Sequence, residues 1–317
     1  MPPTSFDDFT TVIPTPPEGF RSGFVALIGR PNVGKSTLMN ALVGEKVAIT
    51  SPIAQTTRNR LRGILTTSEA QYIFVDTPGI HKPQHKLGEV LVKNARSTIA
   101  LVDLVLFVVD GSQPAGRGDQ FIAQLLHQSQ TPVILGLNKV DLQDPQAQAN
   151  LLASYQALLP NVDPAWPIVE FSALSGSGTD RLLELLAAGL DPGPYYYPPD
   201  LVTDQPERFI MGELIREQIL THTRDEVPHS VAVVIDIVEE TPKITRVAAT
   251  IYVERESQKG ILIGKSGQML KGIGSAARLQ MQKLIAGHIY LELFVKVQPK
   301  WRQSRYQLEQ LGYRLEE

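Results

Sequence analysis

The sequence predicts an α/β domain, a mostly parallel sheet with helices on both faces built around a phosphate-binding loop (P-loop), followed by a smaller α+β domain. Three observations carry this expectation. From Arg21 to about Leu190 short apolar runs alternate with helical patterns, the rhythm of parallel strands joined by crossover helices. The run Gly29-Arg30-Pro31-Asn32-Val33-Gly34-Lys35-Ser36-Thr37 fits G-x-x-x-x-G-K-[ST] and lies between the apolar stretch from Phe24 to Ile28 and the helical stretch from Leu38 to Leu42, the strand–loop–helix context this loop requires. Beyond a Pro- and Tyr-rich stretch the order changes to helix, two β-rich runs, two helices and a strand. At 317 residues the chain exceeds a usual single core, so each part is expected to bury its own interior. The expected division is 1–20, a flexible N-terminal extension; 21–190, the nucleotide domain; 191–204, a linker; 205–303, the second domain; and 304–317, a tail.

In the first domain the expected strands are Phe24 to Ile28, Leu61 to Thr67, Tyr72 to Val75, Val105 to Val109, Val133 to Leu137 and Ile168 to Phe171. Ligands of such sheets gather beyond the C-terminal strand ends, and every candidate motif falls there. In the loop after the first strand, glycines let backbone N–H groups wrap a polyphosphate, and the helix N-terminus at Lys35 adds a favourable dipole. Lys35 reaches the outer phosphates and the Ser36 hydroxyl is suited to Mg²⁺. Gln55-Thr56-Thr57-Arg58 lies in a polar loop; Thr57 is the candidate to offer a hydroxyl to Mg²⁺ and an N–H to a γ-phosphate. Asp76-Thr77-Pro78-Gly79 follows the third strand, where Asp76 can hold the Mg²⁺ shell and the Gly79 N–H can approach the γ-phosphate.

Asn138-Lys139-Val140-Asp141 selects the base. The Asp141 carboxylate accepts from guanine N1–H and the exocyclic amine, whereas adenine presents an acceptor at N1 and would leave both partners unpaired, so GTP is expected over ATP. Asn138 bonds the base and neighbouring loops, the Lys139 stem packs over the ring, and Ser172-Ala173-Leu174 aim backbone N–H groups at the guanine carbonyl. The segment from Leu87 to Ile99 has helical spacing at Leu87, Leu91, Ala95 and Thr98, with Lys93 and Arg96 solvated. His81 and His85 have no companions that would make a metal set.

The order and spacing of these five motifs look like those of the translation-factor-related GTPases, and GRPNVGKST with AQTTR resembles the Era branch. That resemblance implies a GTP-hydrolysing switch using Mg²⁺, with Lys35, Thr57, Gly79 and Asn32 as the catalytic set. Ile80 stands where Ras-type GTPases carry a catalytic glutamine and cannot orient water by a hydrogen bond. In similar GTPases the residue at Asn32 helps hold a monovalent cation such as K⁺ beside the phosphates; an asparagine merely tolerated in a turn is the other reading.

Asp191 to Asp200, with its prolines and three successive tyrosines, reads as a semi-rigid linker. After it come an amphipathic helix from Glu207 to Leu220, β-rich runs from Val231 to Glu239 and Thr245 to Glu254, a short helix from Lys259 to Ile263, a long one from Gln268 to Ile285 and a strand from Ile289 to Val297. Between the two later helices stands Gly264-Lys265-Ser266-Gly267. Helix–GxxG–helix after two strands resembles a type II KH domain, whose loop clamps the backbone of single-stranded RNA. In the long helix Leu270, Ile273, Ala277, Met281 and Leu284 form the expected buried stripe, while Lys271 and Arg278 share another face. From Ser257 to Arg305 there are nine Lys or Arg and one acidic residue, Glu292, so the basic excess coincides with the expected clamp.

Composition narrows the class. With 43% hydrophobic and 20% charged residues the chain reads as globular, and the absence of cysteine excludes disulfides and Cys-based zinc sites. The longest apolar run, Ile99 to Val109, is too short to span a bilayer, and the first nineteen residues lack the pattern of a secretory leader. A cytoplasmic monomer is expected. The resemblance implies 16S rRNA, in its 3′ region, and the 30S ribosomal subunit as partners, with peripheral contact to the inner face of the cell membrane. Two alternatives stand beside it: a KH-type RNA chaperone that binds GTP with little hydrolysis, and a membrane-surface GTPase regulator.

Overall fold

The computed structural model describes residues 13–51, 53, 61–80, 92, 95–158, 166–285 and 287–311. The candidates Gln55 to Arg58, Thr57 among them, lie outside these residues, as do His81, His85, Leu87, Leu91 and Lys93. Contacts group the chain into two compact units, Met1–Val47 with Arg60–Asp204, and Ala48–Asn59 with Gln205–Glu317.

The first unit carries β1 (Arg21–Ile28), β2 (Leu61–Thr66), β3 (Ala70–Asp76), β4 (Leu104–Asp110), β5 (Val133–Asn138) and β6 (Ile168–Glu170), in the sheet order β2-β3-β1-β4-β5-β6. Only β2 runs antiparallel to its neighbour. β3, β4 and β5 are buried at every residue, as parallel strands covered on both faces must be, which explains why they read as unbroken apolar runs. The first unit also carries the helices α1 (Lys35–Val43), α2 (Arg117–His127), α3 (Gln148–Gln156) and α4 (Thr179–Gly189), and the described residues 95–100 are helical as well. Ala95, Ile99, Phe107, Ile122, Leu126, Leu135 and Tyr155 share one core cluster, so the described end of the segment expected to be helical, at Ala95 and Ile99, packs on the sheet. Register aligns Leu27 with Asp76, Ile28 with Phe107, and Asp110 with Asn138. β1 and β3 thus end within a residue of each other and β4 and β5 end together three residues further along, and the loop after β1, the turn after β3 and the turn after β5 all lie at this edge of the sheet.

Residues 191–204 belong to this unit by their contacts. The reason is Gln71, wholly buried in β3. Its Oε1 accepts from Tyr196 N at 2.8 Å and Tyr197 N at 3.0 Å, and its Nε2 donates to Tyr197 O at 2.9 Å. Phe20 and Phe24 meet Tyr195 and Tyr196 at ring centroids of 4.6 and 5.4 Å. Arg62 pairs with Asp204 at 2.5 Å, and Ile64 N donates to Val202 O. A stretch expected to act as a spacer is held by hydrogen bonds along the sheet.

In the second unit α5 (Glu207–His222), β7 (Ala232–Glu240), β8 (Ile244–Val253), α7 (Glu256–Ile263), α8 (Gln268–Leu284) and β9 (His288–Val297) appear in the expected order; the short α6 (Val227–Ser230) before β7 and α9 (Arg305–Gln310) after β9 are additions to it. β7 pairs antiparallel and β9 parallel with β8. α7 begins three residues before its expected start, because the Gln258 side chain reaches back to accept from Glu254 N and Arg255 N. Two sequence expectations are corrected. α5 is buried almost all round rather than amphipathic, from Met211 through Leu220. Its charged members tolerate burial because Arg216 pairs with Glu213 at 2.6 Å and Glu217 accepts from Thr50 N at 2.9 Å. In α8 the buried stripe is Ile273, Ala277 and Met281; Leu284, at the last turn, is 38% exposed.

Candidate functional site

The P-loop leaves β1 at Ile28 and enters α1 at Lys35. Asn32 and Gly34 stand at φ 64° and 100°, the left-handed region that lets successive N–H groups turn inward. Gly34 could not be replaced: a Cβ there would lie 2.3 Å from Asn138 Nδ2. Lys35 is buried, its Nζ donating to Gly29 O at 3.2 Å and Arg30 O at 2.9 Å. Burial lowers its ammonium to a pKa of about 8, against the opposing pull of Asp76. Ser36 Oγ donates to Asp76 Oδ2 at 2.6 Å, so the two candidate Mg²⁺ ligands within the described residues converge. Thr37 follows in the first turn of α1, Pro31 is half-buried and Val33 packs into the core. Gly79 lies against the loop, where a Cβ would come within 2.6 Å of Pro31 N, and Ile80 N donates to Gly29 O at 3.1 Å.

The Arg30 side chain turns away from its own loop. Its Nε donates to Asp119 Oδ1 at 2.7 Å, and Asp119, fully buried, also accepts from Gly116 N. The loop is thereby tied to the start of α2. Asp119 has no signature in sequence, standing 89 residues from its partner.

At the other end of the site Asn138 joins three loops. Its Nδ2 donates to Val33 O at 2.8 Å, while Oδ1 accepts from Lys139 N at 2.8 Å and Ala173 N at 2.9 Å. Ala173 N, expected to face a base carbonyl, here donates to Asn138 Oδ1. Lys139, at φ 68°, places Nζ 2.7 Å from Asp110 Oδ2. Asp141 lies exposed in the 3₁₀ turn Val140–Leu142. Ser172 is buried and its Oγ accepts from Ser175 N at 3.1 Å; Leu174 is 81% exposed. Asp110 was missed in the sequence, although a carboxylate closing the apolar run of β4 is a signal of the same kind as Asp76 closing β3.

In the second unit Gly264 and Gly267 both take positive φ, 70° and 76°, and Ser266 between them stands at 52°. A Cβ on Gly264 would lie 2.6 Å from Met269 Cβ, so glycine is required for the loop to double back onto α8. Lys265 and Ser266 are exposed at this turn. Beside it a groove of about 350 Å³ runs along α8 and β9. Leu270, Leu291 and Leu293 form its apolar part, and Lys271 and Arg278 supply positive charge along its length. Leu270, assigned from sequence to the core stripe, packs against that core and also lines this groove.

The sequence matches the family model described as 50S ribosome-binding GTPase over residues 24–139 and a KH domain model over residues 226–302. It is 71% identical to the GTPase Era of Nostoc sp. over 305 residues, 96% of this chain and 93% of the relative. The chain belongs to the Era GTPases. Among solved structures, a variant of Aquifex aeolicus Era bound to GDP.AlF4- superimposes with a TM-score of 0.87 at 38% identity, covering 93% of this chain and 99% of that one. An Era in complex with MgGDPNP and nucleotides 1506–1542 of 16S ribosomal RNA gives 0.86 at 38% identity, with the same coverage. This Era-family chain is therefore a GTPase with a KH domain. Its Ile80 is 1% exposed in the core cluster with Ile99 and Ile122, so the position after Gly79 serves packing, not water positioning. The Ser36 hydroxyl and Asp76 carboxylate are hard oxygen donors beside the P-loop, a set that fits Mg²⁺. Among the described residues no helix is long and apolar enough to cross a membrane.

Proposed function

We propose that this chain binds GTP between the P-loop and the Asn138–Asp141 turn, hydrolyses it as a switch, and reads the 3′ region of 16S rRNA through its second unit during 30S subunit assembly. The observation that carries the RNA half is the groove at Gly267, Lys271 and Arg278 beside a glycine-built turn, in a family whose member binds nucleotides 1506–1542 of 16S rRNA. Small residues let a sugar–phosphate backbone approach, Lys265, Lys271 and Arg278 attract it, and the leucine-lined floor accepts unstacked bases.

In the nucleotide site the backbone of Gly29 to Thr37 wraps the phosphates and Lys35 supplies the charge that meets the outer two. Ser36, Asp76 and Thr57 would hold Mg²⁺, which neutralises charge between the β- and γ-phosphates when bound. The Gly79 N–H would meet the γ-phosphate, Asp141 the guanine edge, and Asn138 would keep the base loop and the P-loop in register. With Ile80 buried, no side chain at that position orients the attacking water. Intrinsic turnover should therefore be slow, on the order of 10⁻⁴ to 10⁻³ per second. Asn32 would add a K⁺ ligand, in which case K⁺ accelerates turnover over Na⁺ at equal ionic strength and Asn32→Ala removes the difference; equal rates in the two salts would end that role. On this reading the chain acts in the cytoplasm as a monomer, with its basic stretch available to anionic lipid, a contact that vesicle co-sedimentation at rising salt would test.

The decisive experiment replaces Lys265 and Ser266 with Asp together. Ser266 already stands at φ 52°, which Asp tolerates, so the turn should survive. Filter binding to the 1506–1542 fragment should weaken on the order of 10²-fold while GTP affinity stays within twofold. Retained RNA affinity in a folded double variant would show that this loop is only a turn.

A further inference from the structure

The turn that closes β4 is built into the base site from several sides. Asp110 pairs in register with Asn138 and is 7% exposed. One carboxylate oxygen receives Lys139 Nζ at 2.7 Å; the other accepts from Ser112 N at 3.2 Å and Ser112 Oγ at 2.6 Å. The Asp110 carbonyl accepts from Tyr155 Oη at 2.8 Å, Gly111 N donates to Asn138 O at 2.7 Å, and Gln143 Nε2 donates to Gly111 O at 3.0 Å. Burial pushes the Asp110 carboxyl up, but the hydrogen bonds from Lys139 and Ser112 outweigh it and hold the group below the usual range, so it stays charged.

We propose that Asp110 is a positioning residue for guanine binding, holding the Lys139 ammonium so that the lysine stem forms a fixed cover for the purine ring. This rests on reading Asn138 to Asp141 as the base site. A free lysine loses much of its rotamer freedom when it lies along a ligand. Here that ordering is complete before the nucleotide arrives, because the ammonium is anchored to a carboxylate that is itself held by Ser112. The gain falls on binding alone: the ring is remote from the reacting phosphate, so GTP and GDP benefit equally, and KM responds rather than kcat.

The test titrates a fluorescent guanine nucleotide into the full-length chain as wild type, Asp110→Asn, Lys139→Met and the double variant. Each single change should weaken GTP and GDP by the same factor, about tenfold on the scale of a lysine's rotamer freedom. The double variant should be no weaker than Lys139→Met, and steady-state hydrolysis should show the loss in KM. If Asp110→Asn lowers affinity as much in the Lys139→Met background as in wild type, Asp110 only shapes its turn and the proposal falls. Lys139→Met keeps the stem and leaves β4 unaltered, so it decides the matter even where Asp110→Asn fails to fold: undiminished affinity there overturns the pin. Asp141→Asn, measured alongside, isolates the underlying reading, since unchanged guanine preference in that variant would mean the base site itself is misplaced.

Discussion

Lys35 shows how one buried charge is tuned by its surroundings. Desolvation brings its ammonium to a pKa of about 8, while carbonyls of its own loop and Asp76 keep it protonated at neutral pH. Phosphates arriving beside it stabilise the charged form and must raise that pKa. GTP binding at about pH 8.5 should therefore take up protons, because the lysine is partly neutral before binding and charged after it, and affinity should decline as pH climbs through 8. Calorimetry in buffers of different ionisation enthalpy reads the uptake directly; a heat independent of buffer would contradict it. In the free protein the sign is opposite to that of a salt-bridged lysine. The folded pKa lies below the unfolded 10.5, so the burial penalty is fully present below about pH 8 and stability recovers as pH rises from there towards 10.5. At the other end of the site Asp141→Asn should lower GTP affinity on the order of 10²-fold and favour xanthine nucleotides, since an amide can donate to the oxygen that replaces the exocyclic amine. Competition between GTP and XTP checks this, and an unchanged ratio would reject the assignment of Asp141.

Among the elements, β3 does two tasks at once. Its C-terminal end delivers Asp76 to the P-loop, while Gln71 in the same strand holds the Tyr196–Tyr197 backbone. Gln71→Ala would leave those buried N–H groups without an acceptor, a loss of about 2–4 kcal/mol. Urea denaturation should show the first unit destabilised by that amount, and limited proteolysis should then cut between residues 193 and 204, where wild type resists. Resistance equal to wild type would show that the aromatic contacts of Phe20 and Phe24 suffice. Asn138 is the matching element on β5, tying the P-loop, its own turn and the loop after β6 into one body. The loop after β5 and the P-loop cannot move independently while those three bonds stand.

For the whole molecule the governing quantity is charge asymmetry. The stretch from Ser257 to Arg305 carries nine basic residues and one acidic, a net of +8, while the whole chain is −3, leaving −11 on the remainder. Such a distribution repels nucleic acid from most of the surface and concentrates attraction in the second unit. RNA affinity should fall steeply with salt, and Lys271→Ala and Arg278→Ala should each reduce the slope of log K against log salt by about 0.7, the value for one phosphate contact on a single strand. Slopes identical to wild type would move the RNA path away from this groove.

Much of this was legible in the chain alone because it depends on short-range chemistry. A P-loop declares itself by spacing, strands by apolar runs, the Asn138–Asp141 turn by four consecutive residues, and the KH turn by two glycines between helices; each is contained within a dozen residues. What only the tertiary structure decided are the pairings of residues distant in sequence: Arg30 with Asp119, Lys139 with Asp110, Gln71 with the tyrosine backbone, Thr50 with Glu217. The all-round burial of α5 belongs with them, since a helix with Arg216 and Glu217 on it reads as amphipathic until their partners are in place. Local pattern records which face a residue prefers, but the free energy of a buried charge depends on the group that meets it. That group is chosen by the fold.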